Sequence, residues 1–162
     1  MRLFSSVFAV LLLTLAVPAV ASAPIITITI FAAFVIPSGP DGCPSFDVYV
    51  APQAGRPNNG KTITFANSSF ISHGATFVTA TNLTTNKSIN LNISGPGQFS
   101  VVDNTFTAFG AILGFLLPNL VPADLPAISF AHGKIVLQFD NAGNIVSITF
   151  TGTAQNICEL LQ

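Results

Sequence analysis

Charge is what this chain of 162 residues has least of: Asp, Glu, Lys and Arg together make up 7% of it, and the net charge is −1. Its five basic residues, Arg2, Arg56, Lys61, Lys87 and Lys134, stand singly along the sequence. A run of phosphates needs clustered Lys and Arg, so nucleic acid is not an expected partner, and neither is an anionic lipid surface. Tryptophan is absent and tyrosine occurs once, which argues against a sugar-binding face that stacks rings and hydrogen-bonds through their polar edges. The two cysteines, Cys43 and Cys158, lack the paired Cys and His spacings of a zinc site. No Gly-x-Ser-x-Gly elbow presents a nucleophilic serine. The loop Ser94-Gly95-Pro96-Gly97 has no Lys to hold a phosphate, and Pro96 withholds an amide donor, which leaves a turn. Neither a metal nor a cofactor is expected.

Long apolar runs are nearly absent as well. Residues 4–17 are almost continuously apolar, follow Met1 and Arg2, and lead to the small residues of Ala19-Val20-Ala21. This pattern predicts a secretory signal peptide over 1–21, cut after Ala21 rather than after Ala23, where Pro24 would resist cleavage. The run falls short of the roughly 20 residues needed to span a bilayer. A second stretch, 108–117, is interrupted by Gly110 and Gly114 and stopped by Pro118, so no transmembrane helix is expected in the mature chain. An exported chain of about 140 residues suits one domain with a real core. We read residues 22–42 as an extended segment with room for one strand, and 43–162 as that domain. In an oxidising compartment Cys43 and Cys158 are expected to pair. The bridge would close a loop of more than about 100 residues, worth up to about 4.7 kcal/mol in the chain-entropy account.

What is present is alternation. In Ser88-Ile89-Asn90-Leu91-Asn92-Ile93-Ser94 every second residue is apolar, the pattern of a half-buried strand. Val146, Ile148 and Phe150 alternate with Ser147, Thr149 and Thr151, and Ile63 and Phe65 with Thr62 and Thr64. Further strands are predicted over 46–50, 75–83, 98–102, part of 105–116, 127–131 and 134–140, with 25–30 as an addition. Turn signals separate them at 58–60, 84–87, 103–104, 132–133 and 140–144, and Asn86 suits a left-handed turn position. Residues 38–44 and the Pro-rich 118–126 read as longer irregular connections. Only 153–161 reads as helix, with Thr153 as its cap and Ile157 and Leu161 on one face. The expected fold is all-β: an antiparallel meander of about eight strands closed into a small β-barrel, or a β-sandwich, with a short C-terminal helix.

Few residues carry chemistry. Four sequons, at Asn67, Asn82, Asn86 and Asn92, are N-glycosylation acceptors in a glycosylating host, although chance sequons are expected where Asn, Ser and Thr abound. Asn92 is placed on the polar face of its strand and Asn86 in a turn, both accessible. His73 and His132 each precede a Gly, which suits turns; a metal site would need a third ligand from Asp41, Asp47, Asp103, Asp124, Asp140 or Glu159. Asp103 and Asp140 are the pair to test for glycoside hydrolysis, yet each opens a predicted hairpin turn where Asp is favoured for local hydrogen bonding.

The stretch TNLTTNKSINLNISGPG over 81–97, followed by GKIVL over 133–137 and ICELL over 157–161, resembles small secreted proteins of unknown function from actinobacteria and fungi. The similarity covers most of the mature chain. The resemblance implies an early and a late cysteine, matched here by Cys43 and Cys158, and supports their pairing. It carries no catalytic residues, and it departs at Asn86, where a Gly is more usual.

The composition favours a secreted, non-catalytic extracellular protein whose Ser, Thr and Asn surface meets other molecules. A second reading is a lipocalin-like carrier: 15 Phe are present, two of them in the leader, and the rest can line a barrel around a small hydrophobic ligand, with 118–126 as its lid. A third is a small barrel enzyme, a cyclase or hydrolase, which needs His73 or His132 to meet a carboxylate inside a pocket.

Overall fold

The computed structural model describes residues 22–115, 120 and 125–162. Residues 1–21, where a signal peptide is expected, and most of the Pro-rich segment at 118–126, where a lid is expected, lie outside the described residues.

Alternating apolar and small polar side chains produce strands, and ten form among these residues: β1 (Ile25–Thr29), β2 (Phe34–Ile36), β3 (Val48–Pro52), β4 (Asn58–Thr64), β5 (Phe70–Asn82), β6 (Ser88–Asn92), β7 (Gly97–Ser100), β8 (Thr105–Phe115), β9 (Ile128–Phe139) and β10 (Ile145–Asn156). One helical turn, α1 (Ile157–Leu160), ends the chain. Every pairing is antiparallel. The sheet is organised around β5, whose 13 residues serve two sets of neighbours. Its first half lies between β4 and β7, and its second half between β3 and β6. The principal path runs β1-β4-β5-β7-β8-β9-β10, with β2 beyond β3.

The sheet is not closed into a barrel. Among the described residues β1 pairs only with β4 and β10 only with β9, so each leaves a free edge. The last strand turns into α1 instead of meeting the first. Ile157, Cys158 and Leu161 then pack with Val48, Val50, Val78, Leu91 and Ile128 in the main core. Each large apolar side chain fully buried there contributes about 1.5–3 kcal/mol relative to exposure. The Cys43–Cys158 disulfide, with 5.3 Å between the two Cα atoms, fixes the helix to the chain ahead of β3. The two ends of the sheet are thus drawn together by a core and a covalent bond rather than by a closed ladder.

Two expected turns are strand. Residues 58–60 form the start of β4, and 132–133 lie in the middle of β9. Gly in these segments marks close approach of neighbouring backbones rather than reversal of the chain. A Cβ on Gly133, whose φ is 153°, would stand 2.1 Å from the carbonyl oxygen of Thr151 on β10. The C-terminal helix is shorter than expected: β10 runs on through Thr153 to Asn156, and Asn156, not Thr153, caps α1 through the amide of Cys158. The turn at 84–87 forms as read, with Asn86 left-handed at φ 61°. The segment before Cys43 supplies two strands, both paired into the sheet.

Candidate functional site

Strict alternation gives the sheet an inner and an outer face. Register places Phe70 opposite Phe99, Phe99 opposite Phe106, Phe106 opposite Leu137, and Leu137 opposite Ile148. One step along lie Ser72, Gly97, Ala108, Ile135 and Phe150. These residues share the inner face, where Ala108, Ile135 and Ile148 are buried. The rings form a cluster: Phe70 stacks on Phe99 at 5.5 Å, Phe70 approaches Phe106 at 6.2 Å, and Phe99 meets Phe139 edge-on at 6.0 Å. Gly97 leaves room for the Phe106 ring, since a Cβ there would lie 2.7 Å from its Cζ.

Beyond this cluster a row of glycines crosses the sheet, with Gly60 opposite Gly74, Gly110 opposite Gly133, and Gly133 in turn opposite Gly152. The inner face is hollowed on both sides of β8, where Gly95 and Gly97 border one hollow and Gly114 the other. One depression, about 210 Å³, lies over β5, β7 and β8. A second, about 190 Å³, lies over β8 and β9. Phe106, Ala108, Ile112 and Leu113 line both, so the two adjoin. No charged side chain lines either, and Ser72 supplies the single side-chain hydroxyl. That hydroxyl is within hydrogen-bond distance of Thr62, at 3.3 Å. A more polar depression of about 340 Å³ lies at the hairpin-turn end, between Phe65, Phe70, Phe99 and Asp103. All three are open to solvent rather than parts of a barrel lumen.

The titratable candidates fall elsewhere. His73 and His132 sit in mid-strand on the outer face, exposed, and are separated in the sheet by β7 and β8. His132 packs edge-on against Phe130 at 4.7 Å. His73 borders a shallow depression with Ile28, Lys61 and Gly74 that contains no carboxylate. Among the described residues no three His, Cys, Asp or Glu side chains gather as metal ligands. Arg56 and Lys134 lie over the outer-face rings of Phe77 and Phe109.

Asp103 and Asp140 do reach the same end of the sheet. Asn104 ties their turns together by donating to the carbonyls of Phe139 and Asp140 at 2.9 and 2.8 Å. Each carboxylate serves its own turn: Asp103 accepts from the Ser100 hydroxyl, and Asp140 from the Asn144 side chain and from the amides of Ala142 and Asn144. The Asn144 side-chain hydrogen bond leads the influences that hold the Asp140 carboxyl below its ordinary value, followed by the Asn144 amide. A glycosidase acid needs the opposite displacement.

The four sequons divide. Asn67, Asn86 and Asn92 are exposed, whereas Asn82 is 1% exposed and fully engaged. Its Nδ2 donates to the Leu161 carbonyl at 3.1 Å, and its Oδ1 accepts from the amides of Thr84 and Thr85. Sequence pattern assigned Phe to the interior but did not single out Phe106, Ala108 and Ile112. The usable signal was their spacing in β8, where Phe106 and Ala108 alternate with Thr105 and Thr107. No family model, no curated protein and no solved structure matches this chain.

Proposed function

We propose that this is a secreted, non-catalytic binding protein that holds a small, apolar, uncharged molecule against the inner face of its sheet. The observation that carries the reading is the pair of adjoining depressions around Phe106, Ala108 and Ile112, lined without a charged group. Apolar surface gathered in a recess is the usual basis of small-ligand binding. The ligand space expected inside a barrel becomes an open trough, because the sheet stays open. Together the two adjoining recesses suit a small aromatic molecule of up to three rings or a short alkyl chain, with at most one hydroxyl or carbonyl directed at Ser72. Export is supported by the leader pattern and by the disulfide, and among the described residues no helix is long and apolar enough to cross a membrane. Among the described residues, no histidine stands beside a carboxylate in a recess to support the cyclase or hydrolase reading.

The test is binding of an apolar fluorescent probe, 1-N-phenylnaphthylamine, to the purified protein and to Ala108→Leu. Ala108 borders both depressions, so the larger side chain fills their shared floor. The expected outcome is saturable binding by the natural protein, weakened at least tenfold in the variant with the fold retained by circular dichroism. Equal binding by the two proteins, or no saturable binding by either, would overturn the reading.

A further inference from the structure

The strongest feature outside the trough is β1. Its residues Ile25-Ile26-Thr27-Ile28-Thr29, with Ile30 after them, form an edge with no charge and no proline. Ile26, Ile28 and Ile30 are 57%, 62% and 71% exposed. Sheet edges are normally protected by charge, proline or a bulge, because their free main-chain groups accept another strand. None of those devices is present here. A short uncharged segment of high β-propensity is also the composition that pairs most readily with itself.

The direction of the free groups follows from Asn58. Its side chain accepts from the Phe31 amide at 3.2 Å and donates to the Phe31 carbonyl at 2.9 Å, so the main chain of Phe31 faces β4. Alternation then turns the main-chain groups of Ile26, Ile28 and Ile30 to the open edge. The side chains of the same residues lie on the outer face. There Ile26 continues a row through Ile63 to Ile71, which is also exposed. Among the described residues, unpaired backbone and uncovered apolar surface therefore coincide at one margin of the sheet.

We propose that this margin is a self-association surface on which β1 of a second copy of this chain adds antiparallel, about a two-fold axis at Ile28. That register sets Ile28 opposite Ile28 of the second copy, Ile26 opposite Ile30, and Thr27 opposite Thr29, giving one ladder of isoleucine and one of threonine. Up to about six main-chain hydrogen bonds join the strands. A second copy fits because residues 22–40 have no charged side chain, so the edge side chains do not repel their counterparts. A two-fold arrangement also satisfies both edges at once and keeps the two chain starts at opposite ends of the paired strands. The edge is about 20 Å long at about 3.3 Å per residue. Its footprint is smaller than the roughly 800 Å² per partner of tight complexes, so the dimer is reversible and concentration-dependent. β10 is the less suitable edge: it is bulged near Ile145, and Ser147, Thr149, Thr151 and Thr153 give it a polar outer face.

Sedimentation equilibrium from micromolar to millimolar protein, with amide hydrogen exchange at both limits, tests this. The expected result is a mass that rises to two chains and stops, with exchange at Ile26, Ile28 and Ile30 slowing as the dimer forms. Ile28→Lys should remain monomeric, and Thr149→Lys on β10 should dimerise as the natural chain does. A single-chain mass throughout, growth beyond two chains, or loss of association in Thr149→Lys would each overturn the proposal. The exchange readout on the unmodified chain keeps the test decisive even if Ile28→Lys folds poorly.

Discussion

At the scale of single residues, Asn82 shows how one side chain can carry two opposite meanings. By pattern it begins a sequon and sits beside a turn, both of which suggest exposure. In the fold it is buried, and its amide joins the end of β5 to the last turn of the chain through the Leu161 carbonyl. The atom bonded to that carbonyl is Nδ2, the nitrogen a glycan would occupy. In a glycosylating host, peptide mapping of the secreted product should therefore find glycans only among Asn67, Asn86 and Asn92. Asn82→Ala should cost about 2–4 kcal/mol in urea unfolding, because it leaves a buried carbonyl without a donor as well as removing two amide contacts. Thr79→Ala, which removes an exposed hydrogen bond to Asn90, should stay within about 0.5 kcal/mol of the natural protein.

At the scale of elements, the glycines of β9 and β10 govern how closely the strands approach. Gly133 and Gly152 face each other across the pair, each with φ of 153°, and a Cβ on either would meet a neighbouring carbonyl oxygen at 2.1 Å. Read as sequence, Ala131-His132-Gly133 resembles a reversal, since Gly is the commonest marker of a turn. The marker was legible but its meaning was not: a sequence window does not show that another Gly, 19 residues later, will lie across the ladder. Gly133→Ala should lose at least about 3 kcal/mol, the cost of backbone displacement within a strand pair. Gly143→Ala supplies the contrast. Its φ is also positive, at 84°, but its Cβ would meet nothing within 4 Å, so only the conformational penalty of about 1 kcal/mol is expected. Urea unfolding of the two variants side by side gives the comparison.

At the scale of the whole molecule, the disulfide spans 115 residues and joins the chain ahead of β3 to α1. Since no ladder joins β1 to β10, that bond carries more of the closure than it would in a barrel. Replacing Cys43 and Cys158 together by Ala should lower unfolding free energy by about 3–5 kcal/mol through the loop-closure entropy returned to the unfolded chain. Both cysteines are buried, so a double Ala variant also tests how well the core at α1 tolerates the smaller side chains.

Local alternation by itself determined that this protein is all-β, and it named the inward residues of β6 and most of β10. It did not name those of β4, where Ile63 shares the outer face with Ile26 and Ile71 and Phe65 beyond it is exposed, nor Val146, which the bulge near Ile145 leaves exposed. The Cys43–Cys158 bridge, expected from the reading of an exported chain, and the left-handed turn position of Asn86, expected from its short amide, both formed. Strand periodicity survives inspection of a few residues because it is set by neighbours two positions apart. The tertiary structure alone decided that the sheet stays open, that the two histidines lie in mid-strand on the outer face, that Asn82 is buried, and that the apolar recess is a trough beside β8. Each of these depends on which distant segment arrives alongside, and pairing between residues far apart in the chain leaves no periodic mark on either partner.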